Sequence, residues 1–417
     1  MVDQGLSSLT NLIISLAVAR IVAPVEFGLF SAFFLLYVLA LGTARAVTSE
    51  PFVVRFGTGR ARRRRAAAAE ATGAALVLGA TVSGALLVVA LWLPATPRLL
   101  AFAMAFVLPG LLLQDVLRFV ALSNGRPKLA VANDGVWLGW VIAVIALTSS
   151  SWGGRTWLAM LAWGAGANIA ALLAAWHLRL CPRPGRWRSW LAAHRDLGPR
   201  YLAEFLAVQA SGQVTVYLVG VSAGLRELAA LRGGQVLFGP FHVFDAGTRQ
   251  LGISQLGALH DTDPVRFRRM LVLVSVMLVA VAASLGVAVL TLPDPWGRAL
   301  LGRTWNSAQP VILPLTIQKS ALALSAGAFC GLRVLEASRL GLRARGTMAL
   351  LTAACGYVGA ITHGAVGAAL GMAGGQLLGA GAYVCAFRQA ERDHIQRPRD
   401  PEPDRELTAS SLAEIAR

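Results

Sequence analysis

Charge is scarce in this chain of 417 residues: Asp, Glu, Lys and Arg make up 14%, against 56% hydrophobic residues and a mean hydropathy of +0.61. Polar stretches long enough for a separate soluble domain are missing. Apolar runs of about 20 residues recur instead, each able to cross a hydrocarbon core of roughly 30 Å. That composition excludes an ordinary soluble protein and defines an integral membrane protein. Lysine is nearly absent, since of 38 basic residues only Lys128 and Lys319 are lysine. A net charge of +17 would point a soluble protein toward nucleic acid. Here the arginines fall in alternating links between spans, and no nucleic-acid partner is expected. Cys181, Cys330, Cys355 and Cys385 lack metal-ligand spacing, and three lie in or beside apolar helices, as buried small hydrophobes would. Catalytic signatures are missing too: there is no Gly-rich phosphate loop ending in Lys-Ser/Thr, no HExxH and no GxSxG, and only six histidines. No cofactor, no metal and no enzymatic activity are implied. The Asp261-Thr262-Asp263 triplet sits beside Arg266, Arg268 and Arg269 and reads as a solvated turn.

What the chain does contain is a series of helical spans, expected at roughly 2–22, 27–49, 68–93, 98–122, 128–149, 155–178, 200–221, 232–256, 270–292, 306–334, 344–363 and 365–387. The links between them sort by charge. One set of alternate links, with the C-terminal tail, carries 27 basic residues, among them Arg62 to Arg65 and the six arginines of 179–200. The opposite set carries 7: Arg20, Arg98, Arg155, Arg226, Arg232, Arg298 and Arg303. Positive charge is retained on the cytoplasmic side, so this split predicts a multi-pass protein of the inner (plasma) membrane with both termini cytoplasmic. Asp3 stands where a secretory signal would be basic, so the first span is expected to be retained. The longest arginine-rich link divides the spans six and six. Gly42-Thr43-Ala44-Arg45 in the second span is echoed by Gly247-Thr248-Arg249 in the eighth. The fold class expected is therefore an all-α integral membrane protein of about twelve transmembrane helices, in two six-helix lobes related by a pseudo-two-fold repeat around a central cavity. Expected boundaries are residues 1–180 for the first lobe, 181–199 for a basic link, 200–388 for the second lobe and 389–417 for a charged, proline-containing, disordered tail.

Polar residues inside the spans are the candidates for function. In the first span Gln4, Ser8, Asn11 and Ser15 fall on one helical face, and Gln209 and Gln213 lie one turn apart in the seventh. Arg45 is held within the second span by the later Glu50 and Pro51, and Asp115 and Arg118 are spaced i, i+3 in the fourth. His242, Asp245 and Arg249 form a stripe in the eighth, with Asp245 and Arg249 spaced for an ion pair. Lys319 stands mid-span beside Thr316, Gln318 and Ser320. If Arg45, Arg118, Arg249 and Lys319 share one interior, it is cationic. Arginine's planar fork suits phosphate or carboxylate oxygens. The hydroxyl and amide faces suit sugar hydroxyls. Such an interior fits an amphiphile with a phosphorylated, glycosylated head.

The residues DQGLSSLTN, ARIVAPVEFGLFS and Glu50-Pro51, with LLGRTWNSAQPVILPL at 300–315, resemble the polysaccharide (O-antigen and exopolysaccharide) flippase branch of the multidrug/oligosaccharidyl-lipid/polysaccharide flippase superfamily. The likeness covers under a fifth of the chain; its most specific part is the Ala-Pro-x-x-Phe-Gly turn. It implies a transporter that moves a polyprenyl-diphosphate-linked oligosaccharide from the cytoplasmic to the outer leaflet by alternating access. Polysaccharide polymerases or glycosyltransferases would be its partners, and membrane lipids its surroundings. Two other readings remain at this point: a drug/cation antiporter of the same superfamily, and a membrane glycosyltransferase or polysaccharide polymerase. The sequence departs from the family's pattern in its missing N-terminal lead and in the very short link around His363.

Overall fold

The computed structural model describes residues 2–57, 61–206, 211–260 and 263–396. Gln209, Asp261, Thr262 and the tail beyond Gln396 lie outside the described residues. In chain order the helices are α1 (Val2–Ile21), α2 (Pro24–Ala44), α3 (Glu50–Phe56), α4 (Ala61–Ala90), α5 (Ala95–Ser123), α6 (Pro127–Thr148) and α7 (Thr156–His177). They continue with α8 (Trp187–Ala193), α9 (Gly198–Phe205), α10 (Ser211–Ser222), α11 (Leu225–Leu237), α12 (Gly239–His260) and α13 (Pro264–Leu290). The last four are α14 (Asp294–Leu301), α15 (Trp305–Leu324), α16 (Ala326–Val334) and α17 (Ser338–Gln396). Every predicted span has its counterpart, so the all-helical, twelve-span architecture holds.

The differences lie at breaks in the helices. The second span runs on to Phe56 through a π turn at Arg45–Ser49. The eighth, expected as one helix from 232, begins at Leu225 and breaks at Phe238 ahead of Pro240, whose ring cannot continue the preceding helix. The tenth is interrupted at Ser325, between α15 and α16. The link between the last two spans shrinks to His363 and Gly364 inside α17. Gly364 has φ +59, and an added Cβ would press on Glu227, whose Oε2 accepts the Ala365 N–H at 2.7 Å. That carboxylate caps the last span at its start. Of the cysteines only Cys330 is buried; Cys355 is partly exposed, and Cys181 and Cys385 are exposed, against the expectation of buried thiols.

Helices α4, α5, α6 and α7 pack on one another with α1 on α6, and α10 to α13 pack with α15, α16 and α17 in a second group. The two groups meet through α1 and α2, which reach α11 and α14. The Ala-Pro-x-x-Phe-Gly turn explains that meeting. Pro24 opens α2 with its φ preset, Glu26 Oε2 accepts the Ala23 N–H at 3.1 Å, and Phe27 is buried. Gly28 then packs against the Leu225 carbonyl, where any Cβ would collide. Nearby, Thr304 Oγ1 donates to the Ala19 carbonyl at 3.2 Å. The lobes are thus in contact at the arginine-poor end of the bundle.

Among the described residues eight helical stretches are long and apolar enough to cross a membrane, and Leu6–Ile21 and Gly212–Ser222 are shorter apolar helices. The eighth span, α11 with α12, is not among them, although α17 supplies two spans in one stretch. Its polarity singles it out as the element that needs partners other than lipid.

Candidate functional site

Two charged clusters lie within the spans, one in each lobe. The first starts from Pro51. Lacking an N–H, it cannot bond the Val47 carbonyl one turn back, and the helix widens into the π turn there. The freed carbonyl accepts the Trp190 indole N–H at 2.9 Å. Arg45 opens that turn and pairs through Nε and Nη2 with both oxygens of Asp115, at 2.8 and 2.6 Å. Arg118 Nη2 shares Asp115 Oδ1 at 2.6 Å and Arg118 Nη1 approaches Asp134 Oδ2 at 3.8 Å, while Gln114 Nε2 donates to Asp134 Oδ1 at 2.7 Å. Two guanidiniums meet two carboxylates, so the cluster is neutral. Arg118 is 3% exposed and Asp134 fully buried; Arg45 keeps 27% of its side chain accessible.

The second cluster is not neutral. Asp245 Oδ1 accepts from Arg249 Nε at 2.8 Å, the expected i, i+4 pair. Arg249 also reaches the Leu322 carbonyl at 3.4 Å and lies over the Phe329 ring at 5.2 Å. Lys319, 5% exposed, makes no hydrogen bond and no ion pair within 4.0 Å among the described residues. It stands in electrostatic range of Asp245, Arg232 and His242. Arg232 sits over the Phe34 ring of α2 at 5.7 Å, donates to Gln235 Oε1 at 3.3 Å, and has a buried Nε without a hydrogen-bond partner. Three basic side chains, Arg232, Arg249 and Lys319, are therefore gathered around one carboxylate, Asp245. Arg232 brings this charge to the first lobe, because Phe34 belongs to α2.

The clusters are related by the repeat. Arg45 and Arg249, Gln114 and Gln318, and Asp115 and Lys319 are each 204 positions apart. The carboxylate that neutralises the first lobe's arginine is replaced by an ammonium in the second. Asp245 takes over the pairing of Arg249 from within its own helix, and Lys319 is left over.

Several predicted site residues are placed elsewhere. Arg118 is buried inside the first lobe, not on a shared interior, and Arg45 has Asp115 as its partner. On α1, Ser8 is exposed, the Asn11 side-chain oxygen accepts the Trp163 indole N–H at 3.2 Å, and Ser15 donates to the Asn11 carbonyl at 2.7 Å. Helix α1 packs against α6 and α7. Gln4 lies on α1, Gln213 is half-buried on α10, and Gln209 is outside the described residues. His242 stays beside the second cluster, exposed on α12 and in electrostatic range of Lys319 and Arg232. Arg232 was missed because the charged pair Arg226-Glu227 makes the stretch read as a link. The apolar Leu228–Leu231 just before it was the available signal.

Outside the spans, the link between the lobes is fastened to the first cluster. Trp190 is 1% exposed, its ring 3.9 Å from that of His194, and Arg55 holds Asp196 through two contacts at 2.7 Å. Burial pushes the His194 imidazole below its ordinary value, aided by Arg55 and opposed by the Trp190 carbonyl, Asp196 and Glu70. Among the described residues no group of His, Cys, Asp or Glu could hold a metal ion.

No family model matches the chain, and no curated protein matches it by sequence. Solved structures do match by shape. An inward-facing multidrug resistance MATE family transporter of the MOP superfamily has 14% identity, covering 94% of this chain and 96% of that one, with a TM-score of 0.68. Lipid II flippase MurJ in an inward closed conformation has 11% identity, covering 94% and 90%, with a TM-score of 0.70. A MOP superfamily transporter from Pyrococcus furiosus, described as having a binding pocket of reverse polarity, has 14% identity, covering 94% and 93%, with a TM-score of 0.59. Over nearly its whole length, this chain has the two-lobe helical fold of the MOP-superfamily transporters and flippases.

Proposed function

We propose that this protein is a flippase for a polyprenyl-diphosphate-linked oligosaccharide, a polysaccharide precursor, moved between leaflets by alternating access. The observation that carries the reading is the surplus of positive charge in the second lobe, where Arg232 and Lys319 lack carboxylate partners of their own. Inside a low-dielectric bundle such charges attract an anion far more strongly than they would in water. A diphosphate offers oxygens to a guanidinium fork and an ammonium at once. The isoprenoid tail would remain in lipid while the head passes between the lobes. Contact at the arginine-poor end corresponds to an interior closed on that side. The 27 to 7 charge split supports an inner-membrane orientation with cytoplasmic termini and transport toward the outer leaflet, where a polymerase or glycosyltransferase would take the product.

A drug/cation antiporter is the competing reading, favoured by the likeness to the MATE transporter. It calls for carboxylates to dominate the interior, and Asp245 is already matched by Arg249. The two readings separate in proteoliposomes loaded in parallel with a fluorescent lipid-linked oligosaccharide and a cationic dye. Translocation of the first, lost in Lys319→Met and Arg232→Gln, is the expected result. Gradient-driven dye efflux with no saccharide movement would overturn the proposal.

A further inference from the structure

A basic recess lies on the first lobe, and no residue of α11 or α15 lines it. At the arginine-rich end, the turn after α5 passes through Gly125 at φ +67 into α6, and with the last turn of α7 it encloses a recess of about 510 Å³. Gly125, Arg126, Pro127, Lys128, Leu129 and His177 line it. This volume falls within the roughly 300–1,000 Å³ of small-molecule sites. Arg126, Lys128 and His177 are all exposed, and among the described residues none of them has a carboxylate within 4.0 Å. His177 Nδ1–H donates to the Leu173 carbonyl at 2.8 Å, which holds the ring at the end of α7. Some arginines of this end have anions from the chain itself: Asp196 for Arg55, Glu70 for Arg186 and Glu204 for Arg345. In the recess it supplies none.

The wall beside the recess is apolar. Leu172 and Trp176, one turn apart on α7, are 68% and 72% exposed, and the Trp176 ring stands edge-on to His177 at 4.7 Å. Trp at the end of a span marks the headgroup level of a bilayer. A ligand for this place needs an anionic head and apolar chains that run down the helix face. We propose that the recess binds the phosphate headgroup of an anionic membrane phospholipid, with its chains against Leu172 and Trp176.

The test reconstitutes the full chain in phosphatidylcholine vesicles with increasing brominated phosphatidylglycerol. Quenching of Trp176 is read as the difference from a Trp176→Phe protein. Wild type is expected to prefer phosphatidylglycerol. Lys128→Gln alone should cost about fivefold in that preference, and Arg126→Gln/Lys128→Gln the square of that. Arg62→Gln/Arg63→Gln removes as many exposed charges from the same end and should leave it unchanged. Both sets are exposed side chains, so folding, checked by far-UV circular dichroism, is expected to persist. Equal losses in the two sets would mean a diffuse field, and no loss in either would mean no site. Displacement of the lipid by millimolar inorganic phosphate would mean a soluble-anion site. Each of these results overturns the proposal.

Discussion

Lys319→Met separates a binding residue from a structural one, because the two roles predict stability changes of opposite sign. The ammonium is buried, makes no hydrogen bond or ion pair among the described residues, and leaves Asp245 with Arg249 when removed. A lone lysine at mid-span costs about 2.5–3.5 kcal/mol on insertion scales. Methionine has similar length and no charge, so it relieves that cost without opening a cavity. Stability should rise by about 1–3 kcal/mol, since neighbouring dipoles already offset part of the penalty. Breaking a true buried ion pair would instead cost about 3–5 kcal/mol. Transport should move the other way. One charge at 4 Å from a phosphate oxygen contributes about 4 kcal/mol at an effective dielectric constant near 20. Even half of that, after desolvation, lowers the apparent affinity by more than tenfold. Guanidinium titration in detergent, followed by tryptophan fluorescence, reads the first quantity, and saccharide translocation in proteoliposomes the second. A variant that is less stable by 3 kcal/mol while transporting normally would refute the reasoning.

In the first lobe the expectation reverses. Asp115→Asn leaves Arg45 and Arg118 without their shared carboxylate and should cost about 3–5 kcal/mol, read on a denaturation curve; an unchanged midpoint would show that the cluster does not hold the lobe. Trp190→Phe strands the Val47 carbonyl and should cost about 1–3 kcal/mol, with faster hydrogen–deuterium exchange at residues 45–51; unchanged exchange would show that the indole does not hold the π turn. His194 gives a pH dependence. Its folded-state pKa lies below the unfolded value, so its contribution is complete above about 6.5 and is lost as pH falls from there toward the depressed value. Denaturation midpoints between pH 7.5 and 5 should fall in wild type and flatten in His194→Phe; parallel slopes would remove His194 as the cause.

The sequence by itself determined the membrane character, the number of spans and their division. All three follow from apolar runs of fixed length and from the placement of arginine, which are properties of the chain before it folds. It also marked the very short link around His363, whereas the break ahead of Pro240, in a span expected as one helix from 232, came only with the structure. The Asp245–Arg249 pair was legible because an i, i+4 contact needs only one helix. Which charges cancel was decided by the tertiary structure. Arg45 meets Asp115 across 70 positions, and Arg118 leans toward Asp134 on a third helix. Four candidate cations thereby separate into a neutral cluster in one lobe and a charged one in the other. Arg232 joins the second only because α11 begins two turns earlier than its polarity suggests and packs on Phe34. Periodicity specifies the face of a helix on which a charge lies. The partner it meets depends on how helices far apart in sequence are packed, and that packing makes Asp115 a counter-ion and leaves Lys319, its counterpart in the repeat, without one.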